Sequence, residues 1–160
     1  LRIGVSFAKG LCYGLRKPLV AVGSLDALCE VAREDYEAGI LSVEDWERAV
    51  LCPMVDARRM EVYTQLFDAQ GQPLTEVSAE DAGSFSTWRA KGPFVIFGSG
   101  AAKCADVLSD AVLVHVAPSA RGLARLAQTA FDGGDFADLA YFEPFYLKDF
   151  VVTTSRKKLF

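Results

Sequence analysis

Residues 50–67 read VLCPMVDARRMEVYTQLF, and this stretch decides the predicted fold class. Two runs of strand-forming residues, 50–55 and 61–67, flank the polar turn Asp56-Ala57-Arg58-Arg59, a pattern that predicts a β-hairpin. Apolar spacing and capping residues predict helices at 2–16, 24–36, 42–48, 78–88, 101–108 and 119–132. Short apolar runs predict further strands at 19–22, 74–77, 94–97 and 111–116. Helices and strands therefore interleave, which predicts an α/β fold with a mixed sheet.

The composition excludes several classes of protein. The 160 residues carry a net charge of −4, with 51% hydrophobic and 24% charged residues, so the chain is neither disordered nor fibrous. An acidic chain is a poor match for a domain that binds nucleic acid by itself, because phosphate binding needs clustered lysine and arginine. No apolar window has the length of a membrane span, and no positive segment precedes an apolar one as in a signal peptide. We therefore expect a cytoplasmic protein without a membrane segment.

The cysteines and the histidine predict neither a disulfide framework nor a metal site. Cys12, Cys29, Cys52 and Cys104 are widely spaced without a C-x-x-C pair, which favours reduced, buried thiols. The single histidine, His115, lies in an apolar run and is expected to be a partly buried strand residue. A zinc or di-iron site built from these residue types is therefore not expected.

The first predicted helix has an unusually wide apolar surface. At about 100° per residue, its apolar residues cover an arc of about 200°, roughly twice what one packing face needs. Gly10 and Gly14 form a ridge of small residues, which would let another helix approach closely. Two interpretations stay open: a central helix buried within one domain, or a helix that packs on its own sheet and also on a second protein. For the second interpretation, the candidate interface residues are Ile3, Phe7, Gly10, Leu11 and Gly14.

Acidic residues cluster in the segment before the hairpin. Their helical spacing on two polar faces favours a solvated surface over a pair of catalytic carboxylates. The cluster consists of Glu30, Glu34, Asp35, Glu37, Glu44, Asp45 and Glu47.

Four segments, in the same order along the chain, resemble the TsaB (YeaZ) family. Residues 1–11 (LRIGVSFAKGL) resemble the helix after the family's Gly-rich turn, and residues 55–63 (VDARRMEVY) resemble its Asp-Ala-Arg…Glu-Val-Tyr hairpin. Residues 97–100 (FGSG) match its strand-to-glycine turn, and residues 143–148 (EPFYLK) match its Pro-x-Tyr-Leu-Arg/Lys tail. Together the segments extend over nearly the whole chain, so the resemblance is more specific than any one motif.

The resemblance implies both a fold and a role. TsaB proteins have an actin-like, RNase H-like (ASKHA) two-lobed fold and are bacterial accessory subunits of the machinery that makes threonylcarbamoyladenosine in tRNA. They pair with the homologous catalytic subunit TsaD and work with the ATPase TsaE. The chain is thus expected to be a non-catalytic scaffold that dimerises with a TsaD-like subunit, forms a homodimer when alone and meets tRNA only indirectly. In the family, the first helix belongs to the pairing surface, which agrees with the wide apolar arc.

The resemblance also implies a division of the chain into three parts. Residues 1–49 would be the remainder of an N-terminal lobe (interface helix, strand and helix), residues 50–135 the C-terminal lobe, and residues 136–160 a tail that packs back on the lobes. In full-length members a Gly-Pro-Gly-Ser-Phe-Thr-Gly turn precedes the position of Leu1, so we expect the first lobe to be incomplete in this sequence. The basic residues 156–158 near its end are expected to be solvated.

Actin-like proteins usually hold ATP between their lobes, and four residues are candidates for such a contact: Asp56, Arg58, Gly98 and Gly100. Asp56 and Arg58 stand where the phosphate loop of the second lobe would be, but the turn between the strands lacks the glycines of such a loop. A structural hairpin with an interlobe ion pair is the alternative for these two residues, and an ordinary strand-to-helix turn is the alternative for the two glycines. We expect no metal and no cofactor, with ATP or ADP only at a partner interface.

An enzyme is the alternative to an accessory subunit. It would be an actin-like ATP-dependent transferase, or the glycoprotease-like peptidase that an older name of the superfamily suggests. The histidine pair that serves metal-assisted transfer in the catalytic paralogue is missing from this sequence, and no hydrolase motif surrounds its one histidine. The sequence therefore favours the accessory subunit.

Overall fold

A computed structural model describes residues 1–85, 88 and 92–147 of the chain. The longer helices are α1 (Arg2–Leu15), α2 (Ser24–Glu37) and α4 (Ala124–Asp132), and α3 (Ala101–Cys104) is a single turn. The strands are β1 (Val50–Asp56), β2 (Glu61–Thr64), β3 (Ser78–Asp81), β4 (Phe94–Phe97) and β5 (Val112–Leu113). Short 3₁₀ helices span Trp46–Arg48, Ala82–Phe85 and Ala120–Leu123.

The five strands form one mixed sheet in the order β3-β2-β1-β4-β5. β1 and β2 are antiparallel, with Met54 opposite Thr64, and form the predicted hairpin. β1 and β4 are parallel, with Val50 opposite Phe94, and β5 continues the parallel half. The predicted mixed α/β sheet is confirmed. Because β1 and β4 run in the same direction, their carboxyl ends lie at the same edge of the sheet.

The central strands β1 and β4 are covered on both faces, as expected for nearly continuous apolar runs. Leu51, Val95 and Phe97 face one core, to which α2 contributes its own apolar side. The alternate residues, including Met54 and Ile96, face a second core. The sheet therefore has two apolar layers, and α2 packs on one of them.

The following five predicted elements differ from the structure. Residues 19–22 do not form a strand: Leu19 makes one isolated antiparallel bridge, with Ala137. The third strand of the antiparallel group is β3, not residues 74–77, where the backbone makes isolated contacts: the N–H of Leu74 donates to the carbonyl oxygen of Leu66 at 2.7 Å, and the N–H of Leu66 donates to Oγ1 of Thr75. Residues 78–81 are therefore strand where the sequence predicted the start of a helix. The predicted 101–108 helix and 111–116 strand shorten to α3 and β5.

Part of the acidic cluster is buried, contrary to the prediction of a solvated surface. Glu30 is only 3% exposed, and Asp35 on the same helix is also buried. Glu30 accepts hydrogen bonds from Arg33, at 2.8 Å, and from Arg125 of α4. Asp35 accepts a 2.6 Å hydrogen bond from Arg121. The arginines make burial of the carboxylates tolerable, since a buried charge needs a partner that is close and hydrogen-bonded.

Three of the six predicted helices are confirmed: α1 and α4 lie within the predicted ranges, and α2 ends one residue beyond its range. The predicted 42–48 helix shortens to the 3₁₀ helix Trp46–Arg48. Gly23 rather than Ser24 precedes α2 as its cap, without a side-chain hydrogen bond. Ser119 caps the 3₁₀ helix before α4, where its Oγ accepts from the N–H of Arg121 at 3.4 Å. None of the residues of α4 is buried, so its amphipathic pattern identified a helix but not a core element.

Four further predictions concern the cysteines, the histidine, membrane segments and the end of the chain. All four cysteines are free; Cys29, Cys52 and Cys104 are buried, whereas Cys12 is only partly buried. His115 is exposed and lies outside β5, so the prediction of a partly buried strand residue is wrong. In the part of the chain that the structure describes, no helix has the length and apolarity to cross a bilayer. The basic residues 156–158 and the last residue of the EPFYLK motif lie outside the described residues.

Candidate functional sites: the α1 face and the carboxyl ends of β1 and β4

The first site is the apolar side of α1, formed by Ile3, Phe7 and Leu11 and here called the α1 face. These side chains are 88%, 68% and 47% exposed, and no residue of α1 is buried. They lie on one side of the helix because a spacing of four residues returns almost to the same direction. The described part of the chain therefore leaves the α1 face uncovered.

The opposite side of α1 is where the helix meets its own chain. Lys9 lies there, and its Nζ donates 3.1 Å hydrogen bonds to the carbonyl oxygens of Ala140 and Phe142. The guanidinium of Arg2 lies 5.4 Å from the ring centre of Tyr146, a cation–π distance. These contacts show that α1 packs on the segment 137–147. One of the two interpretations expected it to pack directly on the sheet instead.

The glycines of α1 are open to solvent. A Cβ atom added at Gly10 or Gly14 would meet nothing within 4 Å. Glycine in a helix costs about 1 kcal/mol relative to alanine, and no contact among the described residues uses the space that these two glycines leave. The structure thus places all five predicted interface residues on one exposed surface of α1.

The second site lies at the edge of the sheet where β1 and β4 end. Asp56, the last residue of β1, forms an ion pair with Lys103 of α3. Its backbone N–H donates to Oγ of Ser99 at 3.2 Å, and its Oδ1 accepts from the N–H of Arg58 at 2.9 Å. The hydrogen bond from Lys103 is the main reason why the pKa of Asp56 lies below its usual value.

Gly98 and Gly100 lie at the same edge, packed against β1. A Cβ at Gly98 would lie 2.6 Å from the carbonyl oxygen of Met54, and Gly98 also has a φ of +97°. A Cβ at Gly100 would lie 2.7 Å from Cγ1 of Val62, and its N–H donates to the Met54 carbonyl oxygen at 2.9 Å. The two glycines are thus required by close packing of the chain on itself, and the space beside them is filled by β1 and β2.

The four candidate residues for a nucleotide contact therefore have different environments. Asp56, Gly98 and Gly100 come together at one edge, while Arg58 extends from the hairpin turn with an exposed side chain. The ion pair of Asp56 is with Lys103, inside the predicted 50–135 lobe, and not with the 1–49 segment as an interlobe pair would be. The geometry is that of a structural hairpin and a packed strand-to-helix turn.

Lys103 and Ser99 were not among the predicted site residues. The signal that could have found them is topological: parallel β1 and β4 end side by side, so the residues just after β4 must lie beside Asp56. Lys103 is three residues into the segment that follows Gly100, at the start of a helix, where its side chain can reach back to the end of β1.

The described residues provide no cluster of metal-ligating side chains beside these two sites, and two of the buried thiols are not ionised. Among them no three His, Cys, Asp or Glu side chains are placed to hold a metal ion. Burial raises the pKa of the Cys52 thiol to about 12 and also raises that of Cys29, so both thiols stay protonated near neutral pH.

Comparison with known proteins defines the class to which these features belong. Residues 1–137 match the model of the family described as "TsaD: tRNA N6-adenosine threonylcarbamoyltransferase", and the chain therefore belongs to that family. The more particular resemblance is to TsaB: the chain is 33% identical over 88 residues to the tRNA threonylcarbamoyladenosine biosynthesis protein TsaB of Bacillus subtilis (strain 168). That alignment covers 55% of this chain and 33% of the Bacillus protein, so it spans about a third of the relative's length.

Two solved structures from Pseudomonas aeruginosa have the same fold. YeaZ superposes with a TM-score of 0.66 at 24% identity, over 91% of this chain and 67% of that one. An uncharacterized protein with similarity to peptidase YeaZ superposes with a TM-score of 0.65 at 23% identity, over 92% and 67%. The predicted TsaB (YeaZ) resemblance and the actin-like (ASKHA) fold class are confirmed.

Proposed function

We propose that this protein is a non-catalytic accessory subunit in the threonylcarbamoyladenosine modification of tRNA. It acts by pairing with a TsaD-like catalytic subunit through the α1 face, and it meets tRNA only through that assembly. A TsaE-like ATPase is the further partner, the site of action is the cytoplasm, and in the absence of the catalytic subunit the same face forms a homodimer.

The observation that carries the proposal is the exposure of the α1 face. Three large apolar side chains on one helix side, with open glycines beside them, form a surface that water solvates poorly. A second helix laid on that surface would bury the side chains of Ile3, Phe7 and Leu11 and approach closely over Gly10 and Gly14. The names of the relatives supply the pathway, since both the family description and the Bacillus protein refer to threonylcarbamoyladenosine in tRNA.

A catalytic role is the second candidate, and the family description favours it because that description names the transferase itself. Against it, the one carboxylate among the predicted nucleotide contacts is already paired with Lys103. Titration calorimetry of the isolated protein with ATP and magnesium separates the candidates. The accessory role predicts no binding heat without the partner, whereas saturable binding that depends on Asp56 would favour the transferase.

Pairing is tested by placing a charge on the α1 face. In Phe7→Glu, a carboxylate would have to be buried without a partner in the interface, so affinity for the catalytic subunit should fall by at least about 100-fold. The matched control is Val107→Glu, because Val107 is 50% exposed and lies outside α1. The measurement is surface plasmon resonance with the immobilised catalytic subunit of the same species.

The two variants also test homodimer formation. Sedimentation of the protein alone should show a dimer that Phe7→Glu dissociates and Val107→Glu retains. Affinity that is equal for the wild type and Phe7→Glu would contradict the proposal, provided that circular dichroism shows both variants folded. tRNA retained by the protein alone in a salt-dependent manner would contradict the indirect role.

A further inference from the structure

Lys103 occupies an unusually complete set of oxygen acceptors at the carboxyl edge of the sheet. Its Nζ donates to Oδ1 of Asp56, to the carbonyl oxygen of Arg59 at 2.9 Å and to that of Glu61 at 2.7 Å. An ammonium group has three N–H donors, so each donor has one acceptor. The three oxygens come from β1, from the hairpin turn and from β2, and a single nitrogen joins them.

The hairpin turn that supplies one of these oxygens has a costly backbone conformation. Arg58 and Arg59 both have positive φ, 68° and 51°, in the left-handed region that residues with a Cβ rarely adopt. Such conformations persist where surrounding contacts hold them in place. Here the contacts are those of Lys103 with Arg59 and Glu61, together with the hydrogen bond from the N–H of Arg58 to Asp56.

One carboxylate and two carbonyl oxygens around a single positive charge are also the donor types that hard metal cations prefer. Calcium accepts such oxygens in flexible geometry, whereas magnesium demands a nearly octahedral arrangement. We propose that the Lys103 ammonium is a built-in cation: it occupies an oxygen cage that would otherwise attract a metal ion, and it fixes the 57–60 turn without one.

The charge at this edge of the sheet is balanced within the chain. The negative charge of Asp56 is neutralised by a side chain of the same chain, consistent with the lowered pKa of its carboxyl group. A divalent cation would have to displace the ammonium from all three oxygens at once. The proposal is independent of pairing through the α1 face, because it uses none of the residues of α1.

The test removes the ammonium and asks whether a metal replaces it. Lys103→Ala leaves the three oxygens and a space of roughly the size of an ion. Its melting temperature should fall by about 5 °C relative to the wild type, since the loss of one charge-assisted network shifts the melting temperature of a domain of this size by a few degrees. At about 10 mM calcium chloride, above the dissociation constants of weak calcium sites, at least half of that loss should be recovered.

The controls separate a cage from a general salt effect. Potassium chloride at the same ionic strength should not restore Lys103→Ala, and magnesium should restore it less than calcium. The double variant Asp56→Asn, Lys103→Ala should not respond to calcium, because its cage has lost the carboxylate. The melting temperature of the wild type should be the same in calcium chloride and in the matched potassium chloride.

Two results obtained with folded proteins would overturn the proposal. One is a Lys103→Ala protein whose stability responds to calcium no more than that of the double variant. The other is a wild-type protein that binds calcium in an Asp56-dependent manner, which would mean that the ammonium does not exclude the ion. If Lys103→Ala folds only when calcium is present, the proposal is supported, and failure to fold both with and without calcium overturns it.

Discussion

Two helices of this protein have the same length and opposite relations to the core. α1 and α2 each contain 14 residues. α1 contains two charged residues and none of its residues is buried, whereas α2 contains six charged residues and eight of its residues are buried. The more apolar helix is therefore the exposed one.

The difference between α1 and α2 shows that the apolar residues of a helix indicate which side can be buried. They do not indicate which part of this chain, or which other protein, buries that side. α2 is buried by its own chain, because Leu28 and Ala32 pack on the sheet. Arg121 of the 3₁₀ helix Ala120–Leu123 and Arg125 of α4 neutralise the two buried carboxylates of α2. α1 has equally suitable apolar residues, but the described part of its own chain covers only the side that bears Lys9. We take the uncovered side as the surface that a second protein buries.

The largest expected difference between the helices is in the cost of removing a leucine. Leu28→Ala in α2 should lower the free energy of unfolding by about 2–5 kcal/mol, because Leu28 is fully packed and its removal leaves a cavity. Leu11→Ala in α1 should change it by less than about 0.5 kcal/mol in the unpaired protein, because Leu11 lies in solvent. Urea unfolding of both variants gives the two values. Similar costs would mean that α1 is packed in the isolated protein.

A smaller effect on the free energy of unfolding is expected from substitutions of the acidic residues of α2, and it tests how much the buried ion pairs stabilise that helix. Glu30→Gln keeps the shape of the side chain but removes the buried charge that Arg33 and Arg125 contact, and should cost about 1–3 kcal/mol. Glu37→Gln is the control, because Glu37 lies 3.7 Å from the same two arginines but is exposed, so its change should stay below about 1 kcal/mol.

Salt distinguishes the two glutamates further. Added salt should reduce the small effect of Glu37→Gln and leave most of the Glu30→Gln effect, because buried pairs are screened less than exposed pairs. Equal costs for both substitutions at all salt concentrations would contradict the burial of Glu30.

The smallest predicted effect has opposite signs in the free and the paired protein. Gly10→Ala should raise the unfolding free energy of the isolated protein by up to about 1 kcal/mol, because alanine favours the helix and the new methyl group meets no atom. The same substitution should weaken pairing, since the methyl group holds the partner helix away from the ridge. Urea unfolding and binding measurements on one preparation test both signs. A variant that binds as well as the wild type would indicate that the partner does not contact the ridge.

Much of the fold could be predicted because its elements have local patterns. The ranges of α1, α2 and β4 and the β1–β2 hairpin follow from spacing and turn residues alone. The position of β3 could not be predicted in this way, because it depends on pairing with β2, in which Thr64 lies opposite Ser78, and no local pattern shows that register. Residues 19–22 have a strand composition, but a strand also needs neighbours to pair with, and among the described residues only Ala137 pairs there.

The candidate sites were predicted to a different extent. The α1 face and the glycines beside it follow from periodicity within one helix, so the sequence could place these five residues on one exposed surface. Their role as an interface stays a prediction. Lys103 is 47 residues away from Asp56 in sequence, and Arg125 is 95 residues away from Glu30, so no local pattern points to these two partners. Contacts that only the tertiary fold creates cannot be predicted from local patterns. For this reason Glu30 was predicted to be solvated and Lys103 was not predicted as a site residue.

Amide hydrogen exchange in α1 and α2, measured with and without the TsaD-like subunit, tests the central claim most directly. In the isolated protein, the amides of α1 should exchange much faster than those of α2, because no buried residue supports α1. Addition of the catalytic subunit should slow exchange in α1 by at least about tenfold and leave α2 unchanged. Exchange in α1 that stays the same in the complex, while protection appears elsewhere in the chain, would contradict the assignment of the α1 face as the pairing surface.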